Sequence, residues 1–102
     1  MTELIPKYDT RKSFYGKAIV ENSHDGFYLY SYGIEVFMIP YEETEPMKLL
    51  WRGYSLTTYR HIIEFIYQYG LYGQIKDIST KITKKEIESF YNGGKEYDWW
   101  NY

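Results

Sequence analysis

The spacing of hydrophobic residues changes at Gly53, and this change limits the chain to folds that join a sheet to a helix. Before Gly53, apolar and polar residues alternate in short segments separated by turn-forming residues, as expected of strands with one buried face. After Gly53, apolar residues recur at every third or fourth position. This spacing predicts an amphipathic helix whose apolar side carries Tyr59, Ile62, Ile63, Ile66 and Tyr69.

Four antiparallel strands are predicted from the alternating segments, at residues 13–22, 27–31, 34–39 and 47–52. Tyr32 and Gly33 form either a two-residue hairpin turn between the second and third strands or a bulge within one longer strand. Pro40 ends the third strand because proline has no N–H to donate to a neighbouring strand.

The main helix is predicted from about residue 56 to residue 69, and Thr83 and Glu86 have the spacing of a capping box that starts a short C-terminal helix. We therefore expect an α+β fold in which a four-stranded antiparallel sheet carries one main helix on a face and a short C-terminal helix beside it. Residues 1–102 form a single domain, with an irregular lead-in at 1–12 and an aromatic tail at 93–102. The predicted core contains Phe14, Ala18, Val20, Leu29, Val36, Leu49, Ile62 and Ile66.

Charge and cysteine content exclude several classes of protein. With 12 basic and 14 acidic side chains, the formal net charge of −2 gives no overall field that would hold nucleic acid or an anionic membrane. The absence of cysteine excludes disulfides and Cys-based zinc sites. The first residues lack the apolar segment of a signal peptide, and no run approaches the ~18 apolar residues of a membrane span. A cytoplasmic protein without membrane contact is expected.

The stretch "YSLTTYRHIIEF" at residues 54–65 concentrates hydroxyls, a cation, an imidazole and a carboxylate where the main helix begins. A Ser or Thr at a helix N-cap accepts a backbone N–H bond, so a cap explains at least one of Ser55, Thr57 and Thr58. The alternative is an anion site formed by Thr57, Thr58 and Arg60 around the free N–H groups of the helix start. The cap is the favoured interpretation.

Catalytic and metal-binding patterns are weak in this sequence. His61 and Glu64 lie one helical turn apart, but a zinc site usually needs three or four ligands and His24 falls in a predicted turn. His61 is therefore predicted to be a surface or hydrogen-bonded histidine, with no metal and no cofactor. The sequence contains no Gly-x-Ser-x-Gly elbow, P-loop or dinucleotide-binding fingerprint. We expect a protein that is not an enzyme.

Aromatic residues make up 22% of the chain, fourteen of them tyrosine, which indicates either a contact surface or half-buried tyrosines on a thin sheet. Two segments combine aromatic and acidic side chains and are the predicted partner-binding residues. The alternative interpretation of the first segment, a loop, is a solvated turn, and that of the second segment, the tail, is a segment folded back on the core. The residues are Tyr41, Glu42, Glu43 and Glu45 in the loop, and Tyr97, Asp98, Trp99, Trp100 and Tyr102 in the tail.

The stretches "YDTRKSFYGKA" at 8–18 and "YSLTTYRHIIEFIYQYG" at 54–70 resemble a group of small uncharacterised proteins encoded by phages and conjugative elements of Gram-positive bacteria. The resemblance covers about residues 8–70 and rests on a Ser-Phe-Tyr-Gly-Lys-Ala strand followed by a Thr-Thr-x-Arg-His-Ile helix. The chain departs from this group at Gly33, where an Asn is expected, and in its aromatic tail. The resemblance implies an origin in a mobile element.

Mobile elements use small non-enzymatic proteins to bind and block host machinery, so the resemblance implies an inhibitor of a host defence protein. The specific expectation is an anti-CRISPR protein that inhibits a CRISPR-associated effector nuclease through protein contacts. The alternative is a single-stranded nucleic-acid binder that stacks bases on Tyr15, Tyr28 and Tyr30 with Lys17 nearby. A structural protein of the element, which would associate with itself, is a third hypothesis.

Overall fold

A computed structural model describes residues 1–7, 16–42, 44–70 and 83–91. Within these ranges the fold is α+β, with an antiparallel sheet, one main helix and one short helix, as predicted. The strands are adjacent in chain order, β1-β2-β3-β4-β5. The elements are β1 (Thr2–Glu3), β2 (Ala18–Asn22), β3 (Gly26–Ser31), β4 (Ile34–Pro40), β5 (Lys48–Leu49), α1 (Leu56–Tyr69) and α2 (Lys84–Glu88).

The prediction of four strands is wrong, because part of the segment expected to be an irregular lead-in forms β1. Thr2 lies opposite Val20 and Glu3 opposite Ile19, in antiparallel register. The N–H of Leu4 then donates to the carbonyl of Ala18 at 2.8 Å, and the Leu4 side chain enters the core. A strand of two residues is too short to show a period of two, so its pairing cannot be detected from the sequence.

The other strands differ from prediction mainly in length. Of the first predicted strand, 13–22, residues 18–22 form β2 and Gly16 and Lys17 lie in a turn, while residues 13–15, including Phe14, lie outside the described residues. The strand predicted at 47–52 contains only Lys48–Leu49. The segment after α2 lies beside β5 at this edge of the sheet, where the N–H of Leu49 donates to the carbonyl of Phe90 at 2.9 Å.

Tyr32 and Gly33 form the predicted hairpin turn between β3 and β4. Their φ angles are 53° and 80°, the pair of positive values required by the type I′ turn that matches the twist of two antiparallel strands. The register also shifts between Leu29 and Tyr30, so the hairpin contains an irregularity as well as a tight turn.

The helix α1 has the predicted bounds and packs against β3 and β4. The described residues of the predicted core are all buried: Ala18, Val20, Leu29, Val36, Leu49, Ile62 and Ile66. Phe37 lies near the centre of this core, with its ring edge-on to Phe65 and Phe90 at centroid distances of 6.3 and 6.0 Å. Such pairs add stability beyond the area that they bury.

The predicted capping box at the start of α2 is confirmed. The Thr83 hydroxyl accepts the N–H of Glu86 at 3.2 Å, and the Glu86 carboxylate accepts the N–H of Thr83 at 3.1 Å. A membrane-crossing helix would have to be longer and more apolar than any helix in the described ranges.

Candidate binding surface

The "YSLTTYRHIIEF" stretch forms a buried polar network between α1 and β3. Ser55 is the N-cap and accepts the N–H of Thr58 at 3.2 Å, which confirms the predicted cap. The Thr58 hydroxyl lies 2.8 Å from the Ser31 hydroxyl, and Ser31 Oγ lies 2.8 Å from His61 Nδ1. His61 is 0% exposed and Ser31 is 1% exposed. The hydrogen-bonded histidine of the prediction is thus a core residue that joins the helix to the sheet.

Glu64 lies one turn further along α1 and is also buried. Its Oε2 accepts the N–H of Lys7 at 2.9 Å and the Nε2 of Gln68 at 2.6 Å. Gln68 in turn donates to the carbonyl of Ile5 at 2.8 Å. These bonds attach the N-terminal segment to α1, so Glu64 has a structural role in the fold.

His61 bonds to Ser31 of β3, whereas Glu64 bonds to Lys7 and Gln68. Within the ranges that the structure describes, no group of three or more His, Asp or Glu side chains has the arrangement of a metal site. Of the three residues in the predicted anion site, Thr58 faces the interior, whereas Thr57 and Arg60 are half-buried. An anion site at these residues stays a prediction.

The sheet surface opposite α1 carries tyrosines and carboxylates. Strand alternation puts Tyr28 and Tyr30 on the side away from the buried Leu29. Tyr28 lies opposite Met38, and Tyr30 lies opposite Glu35. We call this surface the outer face, and its residues include Ile19, Glu21, Tyr28, Tyr30, Glu35, Met38 and Lys48.

Each outer-face tyrosine donates to a nearby carboxylate. The Tyr28 hydroxyl donates to Asp25 Oδ2 at 2.9 Å, and the Tyr30 hydroxyl donates to Glu21 Oε1 at 3.1 Å. Partial burial, followed by the bond to Asp25, raises the pKa of Tyr28 to about 12. Partial burial and the bond to Glu21 likewise raise the pKa of Tyr30. Both phenols therefore remain protonated donors at neutral pH, and the carboxylates give this face its negative charge.

At one end of the outer face, the acidic loop borders an open concavity of about 320 Å³. We call it the Tyr41 concavity, and it is lined by His24, Asp25, Met38, Pro40, Tyr41, Glu42, Glu45 and Lys48. The loop approaches the β2–β3 turn because Gly26 pairs with Pro40. This register brings residues 24–25 beside residues 41–42, although they are far apart in sequence.

Tyr41 is held in place while part of its ring remains exposed. Its hydroxyl donates to the carbonyl of Ser23 at 2.6 Å, and its N–H donates to the carbonyl of Asp25 at 3.2 Å. Its ring meets Phe27 edge-on at 5.2 Å, and the residue is 42% exposed. Tyr41 thus presents an ordered aromatic surface next to the acidic residues.

The structure brings together part of the predicted partner-binding set. Tyr41, Glu42 and Glu45 line the same concavity. Glu43 and the tail residues Tyr97, Asp98, Trp99, Trp100 and Tyr102 lie outside the described residues. The predicted partner-binding set omitted Asp25 and Met38, because only the strand register shows that they adjoin the loop.

A different surface, beside α2, combines basic and aromatic residues. The Arg52 guanidinium lies 4.9 Å from the centroid of the Tyr91 ring and 3.9 Å from the Glu88 carboxylate. Lys84 lies over the Tyr54 ring at 5.7 Å. Lys84 and the exposed Lys85 therefore supply control positions outside the acidic surface.

The model of DUF8033, described as a family of unknown function, matches residues 2–89. The matched range contains every strand and helix of the described residues, and the predicted tail at 93–102 lies beyond it. Neither a curated protein nor a solved structure matches the chain.

Proposed function

The chain belongs to DUF8033, a family of unknown function, and from its own surface we propose that it is a non-enzymatic protein that binds and inhibits a host defence protein. The specific form of the proposal is an anti-CRISPR inhibitor that acts in the cytoplasm of a bacterial host. It would occupy a basic, nucleic-acid-binding groove of a CRISPR-associated nuclease. The resemblance to proteins of phages and conjugative elements supplies this biological context.

The observation that carries the proposal is the continuity of the acidic and aromatic surface. Tyr28 lies opposite Met38 and donates to Asp25, and both Met38 and Asp25 line the Tyr41 concavity. The outer face and the concavity are therefore one surface. A groove that binds nucleic acid is basic, so carboxylates complement its charge and tyrosine rings supply anchors that tolerate partial exposure.

The buried positions of Ser31 and His61 support a function without catalysis. Their side chains are 2.8 Å apart, a distance that would suit a nucleophile and its base. A nucleophile must be reached by its substrate, whereas Ser31 is 1% exposed and its hydroxyl also bonds to Thr58. The pair serves to join β3 to α1.

The alternative function, binding of single-stranded nucleic acid, is favoured by one feature and opposed by another. Tyr28 and Tyr30 share a face, as a stacking platform requires. However, their hydroxyls bond to Asp25 and Glu21, whose charges repel phosphates. Lys17, the cation expected to help, lies 5.5 Å from the ring of Tyr32 at the hairpin turn. We therefore rank this function second.

Cleavage assays against purified CRISPR-associated nucleases test the proposal. The parent protein is expected to inhibit one of them. The triple variant Glu42→Gln/Glu43→Gln/Glu45→Gln should need about tenfold more protein for the same inhibition, because carboxylates at an interface steer association. The matched control, Lys84→Ala/Lys85→Ala, changes charge on the other surface and should inhibit like the parent.

Two results would contradict the proposal. If the lysine control abolishes inhibition while the triple variant keeps it, the contact lies on the surface beside α2. If the parent inhibits no nuclease in the panel but retards single-stranded nucleic acid in a gel, binding of single-stranded nucleic acid replaces inhibition as the proposed function. Treating the sample with a nonspecific nuclease before binding separates a protein contact from a nucleic-acid bridge.

A further inference from the structure

The floor of the Tyr41 concavity is apolar. It is formed by Met38 and Pro40, both buried residues of β4. Gly26 makes this floor possible, because a Cβ at that position would clash with the Ile39 carbonyl oxygen and would lie 3.0 Å from Met38 Cε. Met38 therefore packs against a bare stretch of backbone. Its flexible thioether gives a floor that suits an aliphatic chain.

The walls of the concavity are ordered by contacts outside it. Tyr41 is held by Ser23 and by the edge of Phe27, as described above. The Asp25 carboxylate accepts the Tyr28 hydroxyl at 2.9 Å. The N–H of Glu45 donates to the carbonyl of Glu42 at 3.0 Å, which closes the turn between them. A ligand would therefore meet a largely preformed site, which lowers the entropy cost of binding.

The charge around the concavity is negative. Its lining contains Asp25, Glu42 and Glu45, set against Lys48. The ligand that complements such a lining is a cation with an apolar stem. The volume of about 320 Å³ lies at the small end of ligand pockets and suits one long side chain better than an organic cofactor.

We infer that the Tyr41 concavity receives a single arginine side chain from the partner protein; this inference rests on the proposed function and specifies its contact. The arginine methylenes lie on Met38 and Pro40, and the guanidinium reaches the carboxylates of Asp25 and Glu42. Arginine fits better than lysine because its planar guanidinium bonds to carboxylates in a fork. Basic nucleic-acid-binding grooves present such arginines.

A peptide titration followed by nuclear magnetic resonance tests the inference. The probe is acetyl-Gly-Arg-Gly-amide, and its matched control carries citrulline, which has a similar shape without the charge. The arginine peptide should shift the Met38 methyl and the Tyr41 amide signals in a saturable manner. The pair Asp25→Asn/Glu42→Gln should weaken this binding about tenfold, because two charge-assisted contacts lose their charge. Glu35→Gln, which neutralises an outer-face carboxylate that does not line the concavity, should change it less than about twofold.

The inference is overturned if the citrulline peptide shifts the same signals equally, or if no signal saturates. It is also overturned if Glu35→Gln weakens binding as much as the pair does, since the effect would then be general attraction to an acidic surface. Nuclease inhibition by the same proteins separates this inference from the proposed function. Inhibition without arginine binding supports the proposed function and contradicts the arginine site. Arginine binding without inhibition of any nuclease supports the arginine site and contradicts the proposed function.

Discussion

Replacement of Ile62 by Asp is expected to unfold the domain. Ile62 is 0% exposed and belongs to the cluster of apolar residues between α1 and the sheet. A carboxylate at this position loses its hydration without gaining a cationic partner in the apolar cluster. The expected loss is about 4 kcal/mol or more, which is comparable with the whole stability of a small domain. Far-ultraviolet circular dichroism and thermal melting measure the effect.

The matched control is Leu56→Asp at the start of the same helix. Leu56 is 68% exposed, and a carboxylate in the first turn interacts favourably with the helix dipole. This variant should melt within a few degrees of the parent. If Ile62→Asp leaves the spectrum and the melting temperature unchanged, the packing of α1 against the sheet is wrong.

Replacement of Glu64 by Ala is expected to lower the stability of the domain, though less than Ile62→Asp does. The carboxylate is buried and accepts partly buried hydrogen bonds from the Lys7 N–H and Gln68 Nε2, so its removal takes away the acceptor that both donors share. The cost should be about 2–4 kcal/mol of unfolding free energy. Amide exchange of Lys7 should also become faster, because the N-terminal segment loses its attachment to α1. Urea unfolding and hydrogen exchange are the measurements.

Glu64→Gln and Gln68→Ala are matched controls for this prediction. The first keeps an acceptor oxygen at the position and should lose less stability than Glu64→Ala. The second removes one donor to the carboxylate and the Gln68–Ile5 bond, and leaves the Lys7 bond intact. Equal stability of Glu64→Ala and the parent protein would show that the carboxylate does not secure the N-terminal segment.

Features governed by local rules were predictable from the sequence. The bounds of α1, its Ser55 cap and the capping box at Thr83 depend on residues within one turn of each other. The hairpin turn was predictable from Gly33, which tolerates positive φ, whereas Tyr32 at φ 53° adopts a conformation that is uncommon for a bulky residue. The pairing of β1 depends on contacts between distant residues, and no local pattern indicates it.

The orientation of α1 was predicted only in part. Ile62 and Ile66 of the predicted apolar stripe are buried, but Tyr59, Ile63 and Tyr69 are half-buried. The buried face instead includes the polar residues Thr58, His61 and Glu64. Hydrophobic periodicity assigns polar side chains to solvent, so it cannot detect a polar group whose partners, such as the hydroxyl of Ser31, are supplied by another element.

Only the loop residues of the Tyr41 concavity were predictable from the sequence. Composition singled out Tyr41, Glu42 and Glu45, since they combine aromatic and acidic side chains. Asp25 and Met38 reach the same place because β3 and β4 pair in one particular register, with Gly26 opposite Pro40. Such a register follows from the whole sheet, and a shift by one residue would turn Met38 to the other face.

The central claim, that the acidic and aromatic surface binds a basic groove, is tested most directly by measuring association with a purified CRISPR-associated nuclease at increasing salt. We expect the association rate to fall steeply as salt rises, and to be lower for Glu42→Gln/Glu43→Gln/Glu45→Gln than for the parent at low salt. Guide or target nucleic acid added first should block binding, because it occupies the same groove. An association rate that is insensitive to salt and to the three substitutions, or binding that persists with nucleic acid in the groove, would contradict the claim.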